Sequence, residues 1–457
     1  MRYLDIHLTL DMSSDARRRY EHSKLYFTQN PRAGFSEDQV ICFRIPFLRE
    51  AQHVRIKLPD ALQTRGKVQF RLDPAASLPS RYQLHGVFLI GNHDGSEATR
   101  LAELHALKQR TREEVVASEF MQRAECPHFP ESLNVELTAR CNLTCSQCSS
   151  HGTPELHAHH NAMSEMPVSV LEKLSEEVFP ALTSIVLVGR GEPLAVTETL
   201  WNTFRDACIR HRVLLGVVTN ASYLRRRIVS DLLPWVDRVT VSIDGFSPEI
   251  FAANRGGADL NQVLRDVAAF HEQRNNCGVT RRPRLCFSWT LKKNNIAEFP
   301  AFARFAAEME ADAVYVRHLL VYHEKDRAQG LIECQDLAEP YLREAYAILD
   351  GNGIPKDCPP LVGQIVTESS AGPDAPVLES GPALLPDDRC SYFHRTGVIH
   401  HDGKVPTCSV PFAETTGNIF ESSTYGEVWN GAVMQQARRD FGTEREWAQC
   451  RSCWFRE

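Results

Sequence analysis

Three cysteines lie close together in the stretch Arg140-Cys141-Asn142-Leu143-Thr144-Cys145-Ser146-Gln147-Cys148. The apolar run 133–138 precedes them and predicts a strand, so the cysteines follow a strand end. Three thiolates can hold a four-iron cluster and leave one iron open to a chelator from outside the protein. Thiolates also suit zinc, and His151, which follows soon after, would complete a Cys3His zinc site. The triplet alone leaves both kinds of metal site open.

A regular alternation of strand and helix patterns surrounds the cysteines. Apolar runs that each precede a helical pattern occur at 133–138, 184–188, 214–219, 238–243, 285–291 and 313–316. Continuous apolar runs are typical of parallel strands that are buried on both faces. The pattern predicts an α/β fold with a partial (β/α)6 barrel of the TIM type. In such barrels the chemistry lies at the carboxyl ends of the strands.

Polar motifs follow the next three predicted strands. These are Val188-Gly189-Arg190-Gly191-Glu192-Pro193, Val218-Thr219-Asn220 and Val241-Ser242-Ile243-Asp244-Gly245, and Arg255 lies in the loop after the last of them. Glycine lets the backbone approach a ligand closely, and Glu192 offers acceptors to an ammonium group. A guanidinium such as that of Arg255 can pair with a carboxylate through two hydrogen bonds. Singly, each residue could be an ordinary turn or cap residue, but together they favour a binding site.

The cysteine spacing and these motifs resemble the radical S-adenosylmethionine (radical SAM) superfamily, over about residues 133–457. The resemblance implies that Cys141, Cys145 and Cys148 hold a 4Fe–4S cluster whose open iron binds S-adenosylmethionine. Reduction of this cluster would cleave the cofactor to a 5′-deoxyadenosyl radical, which takes a hydrogen atom from a substrate. The chain is therefore expected to be an enzyme.

The resemblance also implies which residues contact S-adenosylmethionine: Gly189, Gly191, Glu192, Pro193, Asn220, Ser242 and Arg255. Ser242 would contact the ribose and Arg255 the carboxylate. Two positions depart from the family pattern, since Gln147 stands where an aromatic residue is usual and Arg190 stands where the second glycine is usual. Arg190 is expected either to be a surface residue or to face an anionic group, and it is a candidate catalytic residue.

A second group of cysteines follows near residue 400: Cys390, Cys408, Cys450 and Cys453. Four cysteines make one complete cubane site, with structural zinc as the alternative. Gly403, five positions before Cys408, resembles the turn glycine at the start of a SPASM domain. The shortness of the segment implies a Twitch-like version with one auxiliary 4Fe–4S cluster. Asp388 and Tyr392 are neighbouring candidates for catalytic residues.

The remaining parts of the chain differ in composition from the barrel. Residues 1–97 alternate apolar and polar side chains in short stretches, which predicts a β-sandwich module. The expected domains are 1–97 for this module, 98–130 for a connecting helix and linker, 131–350 for the barrel, 351–386 for a linker rich in Pro, Gly and Ser, and 387–457 for the cysteine-rich SPASM/Twitch-like domain.

Composition excludes several classes of function. A net charge of −7 argues against a nucleic-acid partner, because such affinity rests on neutralising many phosphates. The sequence has no apolar run long enough to span a bilayer and lacks a signal peptide, so a cytoplasmic location is expected. Fourteen cysteines in a reducing compartment indicate metal binding or catalysis rather than disulfides.

The resemblance leaves the substrate open. The β-rich front module looks like modules of bacterial glycan-tailoring enzymes, which slightly favours a sugar or glycoconjugate that is dehydrogenated, dehydrated or epimerised. Modification of a ribosomally made peptide is the alternative, and a catalytically degenerate iron–sulfur protein is a third. An electron donor such as flavodoxin or ferredoxin is the implied partner.

Overall fold

The structure is a computed structural model that describes residues 3–11, 20–28, 40–46, 52–57, 69–73, 81–90, 95–276, 282–361, 390–410, 413–451 and 453. The chain forms two compact units. One contains Met1–Glu103 with Gly278–Arg282, and the other contains Leu104–Cys277 with Pro283–Glu457.

The first unit is built from six strands: β1 (Tyr3–Asp11), β2 (Tyr20–Thr28), β3 (Val40–Pro46), β4 (Gln52–Lys57), β5 (Gln69–Asp73) and β6 (Arg81–Ile90). They form two antiparallel sheets of three strands, in the orders β4-β1-β6 and β3-β2-β5. The β-rich front module is therefore present. Helix α1 (Gly95–Phe120) follows it, where a connecting helix is predicted.

The second unit contains the remaining strands: β7 (Ser132–Val135), β8 (Thr144–Cys145), β9 (Ser184–Leu187), β10 (Leu214–Thr219), β11 (Val236–Ser242), β12 (Arg255–Gly256), β13 (Arg284–Leu291), β14 (Ala313–His318), β15 (Lys356–Asp357), β16 (Thr396–Ile399), β17 (Lys404–Pro406) and β18 (Thr415–Asn418). Its further α-helices are α2 (Pro154–Asn161), α3 (Val168–Glu177), α4 (Glu198–Arg210), α5 (Pro248–Asn254), α6 (Leu260–Asn276), α7 (Phe299–Glu308), α8 (Gln335–Gly351), α9 (Ser391–His394), α10 (Tyr425–Trp429), α11 (Ala432–Asp440) and α12 (Ala448–Arg451). Shorter helical turns cover Arg225–Leu232, Leu233–Trp235, Ile296–Glu298 and Glu324–Gln329.

Eight strands of this unit form one parallel sheet in the order β15-β14-β13-β11-β10-β9-β7-β16. Its six central strands are neighbours in chain order, as expected when each strand is followed by a helix that returns over the sheet. The six predicted strands and the partial TIM-type barrel are thus confirmed. The sequence did not predict the two outer strands, and β16 comes from the cysteine-rich segment to pair with β7.

Alternation along the strands separates a buried face from a face that carries polar groups. Leu133 and Val135 of β7 are buried, whereas Asn134 between them is only half-buried. Because β16 runs parallel to β7, both strands end at the same edge of the sheet as the cysteine loop. Within the described residues no helix is long and apolar enough to cross a membrane, and the cytoplasmic location stays a prediction.

Candidate active site

The loop that carries the first three cysteines is tied to its surroundings by backbone and side-chain bonds. The backbone N of Cys141 donates to Oδ1 of Asn161 at 2.9 Å, and the backbone N of Cys148 donates to the carbonyl of Cys145 at 3.0 Å. Strand β8 pairs with β12 so that Cys145 lies opposite Arg255. The loop that follows β11 therefore fixes the position of the middle cysteine.

Nitrogen donors surround two of these thiols. The backbone N of Leu143 lies 3.4 Å and Nδ2 of Asn220 4.0 Å from Sγ of Cys141, and a guanidinium nitrogen of Arg255 lies 3.9 Å from Sγ of Cys145. Burial raises the pKa of Cys141 to about 12. A thiolate there needs nearby positive charge, which a bound metal centre supplies. Donors to sulfur of this kind also tune iron–sulfur clusters, so the residues fit such a group.

The zinc alternative at this loop depends on His151, and the structure commits its ring to other partners. Nε2 lies 2.9 Å from the carbonyl of Ala139, and Nδ1 lies 3.0 Å from Nδ1 of His157. Both ring nitrogens of His151 are thus engaged by protein partners, and this arrangement favours the cluster over a Cys3His zinc site.

Glu192 is buried, and its side chain connects the segments that follow β9 and β10 through hydrogen bonds. Its carboxylate accepts hydrogen bonds from Oγ1 of Thr219 at 2.7 Å, from the backbone N of Asn220 at 2.8 Å and from the backbone N of Leu194 at 3.2 Å. Its own backbone N donates to the carbonyl of Arg140 at 2.9 Å. Glu192 therefore positions Asn220 and the cysteine loop, and its expected contact with an ammonium group stays a prediction.

The two glycines of the motif after β9 are needed for packing within the protein. A Cβ on Gly191 would lie 2.3 Å from the carbonyl oxygen of Arg140, and a Cβ on Gly189 would lie 2.5 Å from the side chain of Glu136. The structure shows the close approach of the cysteine loop and of a carboxylate at these glycines. The expected contacts of Gly189 and Gly191 with S-adenosylmethionine stay predictions. Pro193, which follows Glu192, is buried beside them.

Ser242 and Arg255 lie in different places: Ser242 at the end of β11, and Arg255 beside the cysteine loop. Ser242 is the last residue of β11 and is half-buried. Arg255 is paired with the buried carboxylate of Asp244, with Nε at 2.9 Å and a terminal nitrogen at 2.6 Å from Oδ2. This pair leaves one terminal nitrogen, the one near Cys145, for any further partner. The contacts of Ser242 and Arg255 with S-adenosylmethionine stay predictions.

Arg190 is not a free surface residue. Its guanidinium binds the carboxylate of Glu136, with the shortest distance 2.6 Å, and its backbone N donates to the same carboxylate at 2.7 Å. His401, which follows β16, lies with Nδ1 2.7 Å from Oε1 of Glu136. These three residues, the Glu136 cluster, follow the neighbouring strands β9, β7 and β16. The anionic group that Arg190 faces is thus a side chain of the protein.

The second group of cysteines encloses one cavity. Its lining includes Cys390, Cys408, Cys450 and Cys453 together with Phe393, Val410 and Phe441. Burial raises the pKa of Cys390 to about 12. Four thiols around one apolar cavity are a donor set that fits a complete cubane site.

Tyr392 and Asp388 are the two catalytic candidates near Cys390 in the sequence. Tyr392 lines the cavity, and its hydroxyl accepts a hydrogen bond from Nδ2 of Asn134 on β7 at 3.3 Å. Burial raises the pKa of this tyrosine. Asp388 lies outside the described residues.

Comparison with known proteins agrees with both cysteine sites. Residues 135–306 match the family model described as the radical SAM superfamily, and residues 390–454 match the model of the SPASM iron–sulfur cluster-binding domain. The chain belongs to the radical SAM superfamily. The predicted family and the predicted SPASM segment are thereby confirmed. As a radical SAM enzyme it uses a 4Fe–4S cluster, S-adenosylmethionine and auxiliary iron–sulfur chemistry in the SPASM domain.

Two proteins named for modification or maturation are similar in sequence to this chain. One is the tungsten-containing aldehyde ferredoxin oxidoreductase cofactor-modifying protein of Pyrococcus furiosus, which is 24% identical over 65% of this chain and 80% of that protein. The other is the mycofactocin maturase MftC of Mycolicibacterium smegmatis, which is 28% identical over 40% of this chain and 43% of that protein.

A solved structure agrees at the level of fold. SuiB of Streptococcus suis bound to S-adenosylmethionine is 14% identical to this radical SAM protein, with a TM-score of 0.50 over 76% of this chain and 75% of SuiB. The same protein bound to its precursor peptide SuiA gives a TM-score of 0.50 at 15% identity over 80% of this chain and 76% of SuiB.

Sequence reasoning missed three residues of this radical SAM site. Glu136 directly follows β7, Lys292 directly follows β13, and Asp244 was quoted only as part of a motif. All three lie just beyond a parallel strand, where ligand-binding residues of such sheets are found. A charged residue placed directly after an apolar run was the signal that could have identified Asp244 and Lys292, whereas Glu136 lies inside the predicted run 133–138 and gave no such signal.

Proposed function

We propose that this radical SAM enzyme modifies a ribosomally made peptide, and that Cys141, Cys145 and Cys148 hold the cluster at which S-adenosylmethionine is cleaved. When bound, the cluster and S-adenosylmethionine supply a reductive cleavage that yields the 5′-deoxyadenosyl radical, which takes a hydrogen atom from the substrate. The observation that carries the cluster assignment is the placement of three thiols, with nitrogen donors to two of them, at the carboxyl edge of the sheet.

The residues around the thiols have separate tasks in this proposal. Glu192 locks the ends of β9 and β10, so that the amide of Asn220 is held near Sγ of Cys141. Arg255 brings a charge near Cys145 and keeps one terminal nitrogen available for the carboxylate of S-adenosylmethionine. Ser242, at the next strand end, contributes a hydroxyl for the ribose.

The four cysteines of the SPASM domain are proposed to hold one auxiliary 4Fe–4S cluster. The cavity that they line supports this assignment, because all four thiols reach it. Tyr392 lies between this cavity and β7, where it can meet a substrate held against the sheet. Arg190 is proposed to act by positioning Glu136 and His401, since its guanidinium is already paired. An electron donor such as flavodoxin or ferredoxin would reduce the clusters.

The choice of a peptide rests on the relatives. MftC is named as a maturase, and SuiB is similar in fold and has been solved with a precursor peptide. The preference for a sugar rested on the front module alone, and none of the relatives reported above is named for a sugar. The match of residues 135–306 to the radical SAM family model supports an enzyme over the degenerate, non-enzymatic alternative.

The cleavage is tested on anaerobically reconstituted protein with a reductant, by measuring 5′-deoxyadenosine. Cys145→Ala is expected to abolish its formation, because the cluster loses one of three ligands. Cys334→Ala is the matched control, since this half-buried thiol lies in neither cysteine group, and it is expected to retain the activity. If Cys145→Ala still cleaves S-adenosylmethionine, the cluster assignment is wrong.

The substrate class needs a second experiment. Short peptides encoded beside the gene are coexpressed with the wild type and with Cys145→Ala, and their masses are compared. A mass change that only the wild type produces is the expected result. Peptides of unchanged mass, together with turnover of a sugar conjugate made by glycosyltransferases encoded beside the gene, would contradict the proposed peptide substrate. That result would favour a sugar substrate.

A further inference from the structure

A buried lysine lies against the cysteine loop. It is not among the residues proposed to bind the clusters or S-adenosylmethionine. Lys292 directly follows β13, and its side chain is only 1% exposed. Its ammonium lies 2.7 Å from Oγ of Ser146, 3.1 Å from Oε1 of Gln147 and 2.9 Å from Oδ1 of Asn254. An ammonium has three N–H donors, and each has an acceptor here. The arrangement is that of a protonated lysine whose charge is enclosed by protein.

Two of these acceptors belong to the cysteine loop itself. Ser146 and Gln147 fill the gap between Cys145 and Cys148, so Lys292 holds the segment that joins two of the three thiols. Lys292 therefore bonds the loop directly to the end of β13. A second, indirect connection runs through Asp244, whose carboxylate accepts hydrogen bonds from Nε2 of Gln147 and from the backbone N of Thr290 on β13.

Gln147 extends this connection to a second cation. Its Nε2 donates to Oδ2 of Asp244 at 2.8 Å, and the same oxygen accepts from Arg255. We refer to Lys292, Gln147, Asp244 and Arg255 as the polar belt. Gln147 occupies the position where the family usually has an aromatic residue, and the polar belt takes the place of packing against a ring.

The polar belt places two buried positive charges, on Arg255 and Lys292, near Cys145. Asp244 within the belt and the buried Asp326 each carry one negative charge, so loss of the Lys292 charge would leave this surrounding with a net negative charge. A terminal nitrogen of Arg255 lies 3.9 Å from Sγ of Cys145, and Lys292 bonds to Ser146 and Gln147, the two residues that follow this cysteine. Burial lowers the pKa of Lys292, while the carboxylates of Asp244 and Asp326 oppose this shift. Charges in such surroundings are poorly screened by water, so their effect on a neighbouring redox centre is large.

A cluster gains one electron when it is reduced, so a nearby fixed positive charge favours the reduced form. Net charge and hydrogen bonds near the sulfurs are among the factors that set the potential of iron–sulfur clusters. We propose that Lys292 is a positioning residue that ties the cysteine loop to β13, and that its buried charge raises the reduction potential of the first cluster. This inference rests on the proposed cluster assignment of Cys141, Cys145 and Cys148.

The test compares the same substitution at two adjacent lysines. Lys292→Met removes the charge and keeps a chain of similar length, whereas Lys293→Met alters an exposed neighbour. Full-length protein is reconstituted, its iron is counted, and a redox titration follows the electron paramagnetic resonance signal that changes when S-adenosylmethionine is added. Only the first cluster is expected to give a signal that responds to S-adenosylmethionine. The signal of an auxiliary cluster in the SPASM domain is therefore distinguished from it.

In Lys292→Met the ratio of reduced to oxidised cluster at a fixed potential is expected to fall about tenfold, which corresponds to about 59 mV for one electron. Lys293→Met and Lys292→Arg, which keeps the charge, are expected to stay close to the wild type. Full iron content with an unchanged potential in Lys292→Met would overturn the inference.

A failure to load iron is also informative. If Lys292→Met takes up no cluster, Lys292→Gln replaces it, because this neutral side chain keeps a hydrogen-bond donor next to the cysteine loop. The same fall in the ratio is expected there. Failure of both variants to load, while Lys293→Met loads normally, supports the positioning role. A wild type without any signal that responds to S-adenosylmethionine would contradict the proposed function itself rather than the role of Lys292.

Discussion

Nδ1 of His401 lies 2.7 Å from Oε1 of Glu136, and this bond connects the SPASM segment to the end of the first barrel strand. The guanidinium of Arg190 binds the same carboxylate. Burial acts to raise the pKa of Glu136, but the hydrogen bonds from His401 and Arg190 outweigh it and lower the pKa to about 2. The carboxylate is therefore held in its charged form by partners from two neighbouring strands.

Glu136→Gln is expected to lower the free energy of unfolding by roughly 3 kcal/mol near neutral pH, since a shift of about 1 pKa unit is worth about 1.4 kcal/mol. The pKa in the folded chain lies below the ordinary 4.5. The stabilisation is thus present above pH 4.5 and is lost as the pH falls towards 2. Denaturant unfolding at neutral pH and at several pH values from 4.5 down to about 2 measures it. Glu344→Gln, in an exposed pair with Arg304, is the control that should change little; equal effects of the two variants would contradict the buried role.

Gly191→Ala is expected to destabilise the protein by about 1 to 3 kcal/mol and to impair iron uptake, because overpacking displaces neighbouring backbone. The new Cβ would collide with the backbone of the cysteine loop, with the carbonyl oxygen of Arg140 only 2.3 Å away. Gly351→Ala at the end of α8 meets nothing within 4 Å and is expected to be neutral or mildly stabilising. Thermal unfolding and iron analysis compare the two. Normal iron content in Gly191→Ala would show that the loop can shift freely.

Arg255→Ala is expected to weaken the binding of S-adenosylmethionine by about 1.5 to 3 kcal/mol, the range of a hydrogen bond to a charged group. The substitution also removes a partner of Asp244, so the reconstituted variant must first be shown to hold its iron. Anaerobic calorimetry measures the affinity. Arg265→Ala, on the exposed side of α6, is the matched control. An unchanged affinity in Arg255→Ala would remove this guanidinium from the cofactor site.

Cys450→Ala is expected to remove iron from the SPASM domain and to leave the first cluster in place. The reason is spatial, since Cys450 lines the cavity shared with Cys390, Cys408 and Cys453 and has no part in the loop after β7. Iron and sulfide analysis should show the loss of one cluster, and the signal that responds to S-adenosylmethionine should persist. Loss of that signal as well would mean that the two sites load together.

The barrel could be predicted from the sequence because each strand is a continuous apolar run. The predicted runs 214–219 and 184–188 agree with β10 and β9 almost residue for residue. The cysteine groups could be predicted because their spacing is local. Strands β15 and β16 could not, since short segments without a strong apolar pattern become strands only through pairing with a sheet edge that is already formed.

The contacts within the Glu136 cluster and the polar belt could not be predicted from the sequence for a different reason. His401 and Glu136 are separated by 265 positions, and Lys292 and Ser146 by 146. Such pairs are brought together by sheet order and by the way the tail folds back, which composition and local periodicity do not encode. Histidines in a loop are usually solvated, so His401 gave only a weak signal, yet its side chain is only 3% exposed.

The pairing of β16 with β7 has a consequence for the order in which the protein assembles. Ser132 of β7 and Thr396 of β16 are 264 positions apart, so β7 emerges from the ribosome long before the strand that covers its outer edge. Until then β7 is an open edge, and such edges invite pairing with other chains. The cysteine loop is complete by Cys148, whereas the last cysteine of the SPASM domain comes at Cys453. The first group of cysteines is therefore synthesised well before the barrel edge is closed and before the second group is complete.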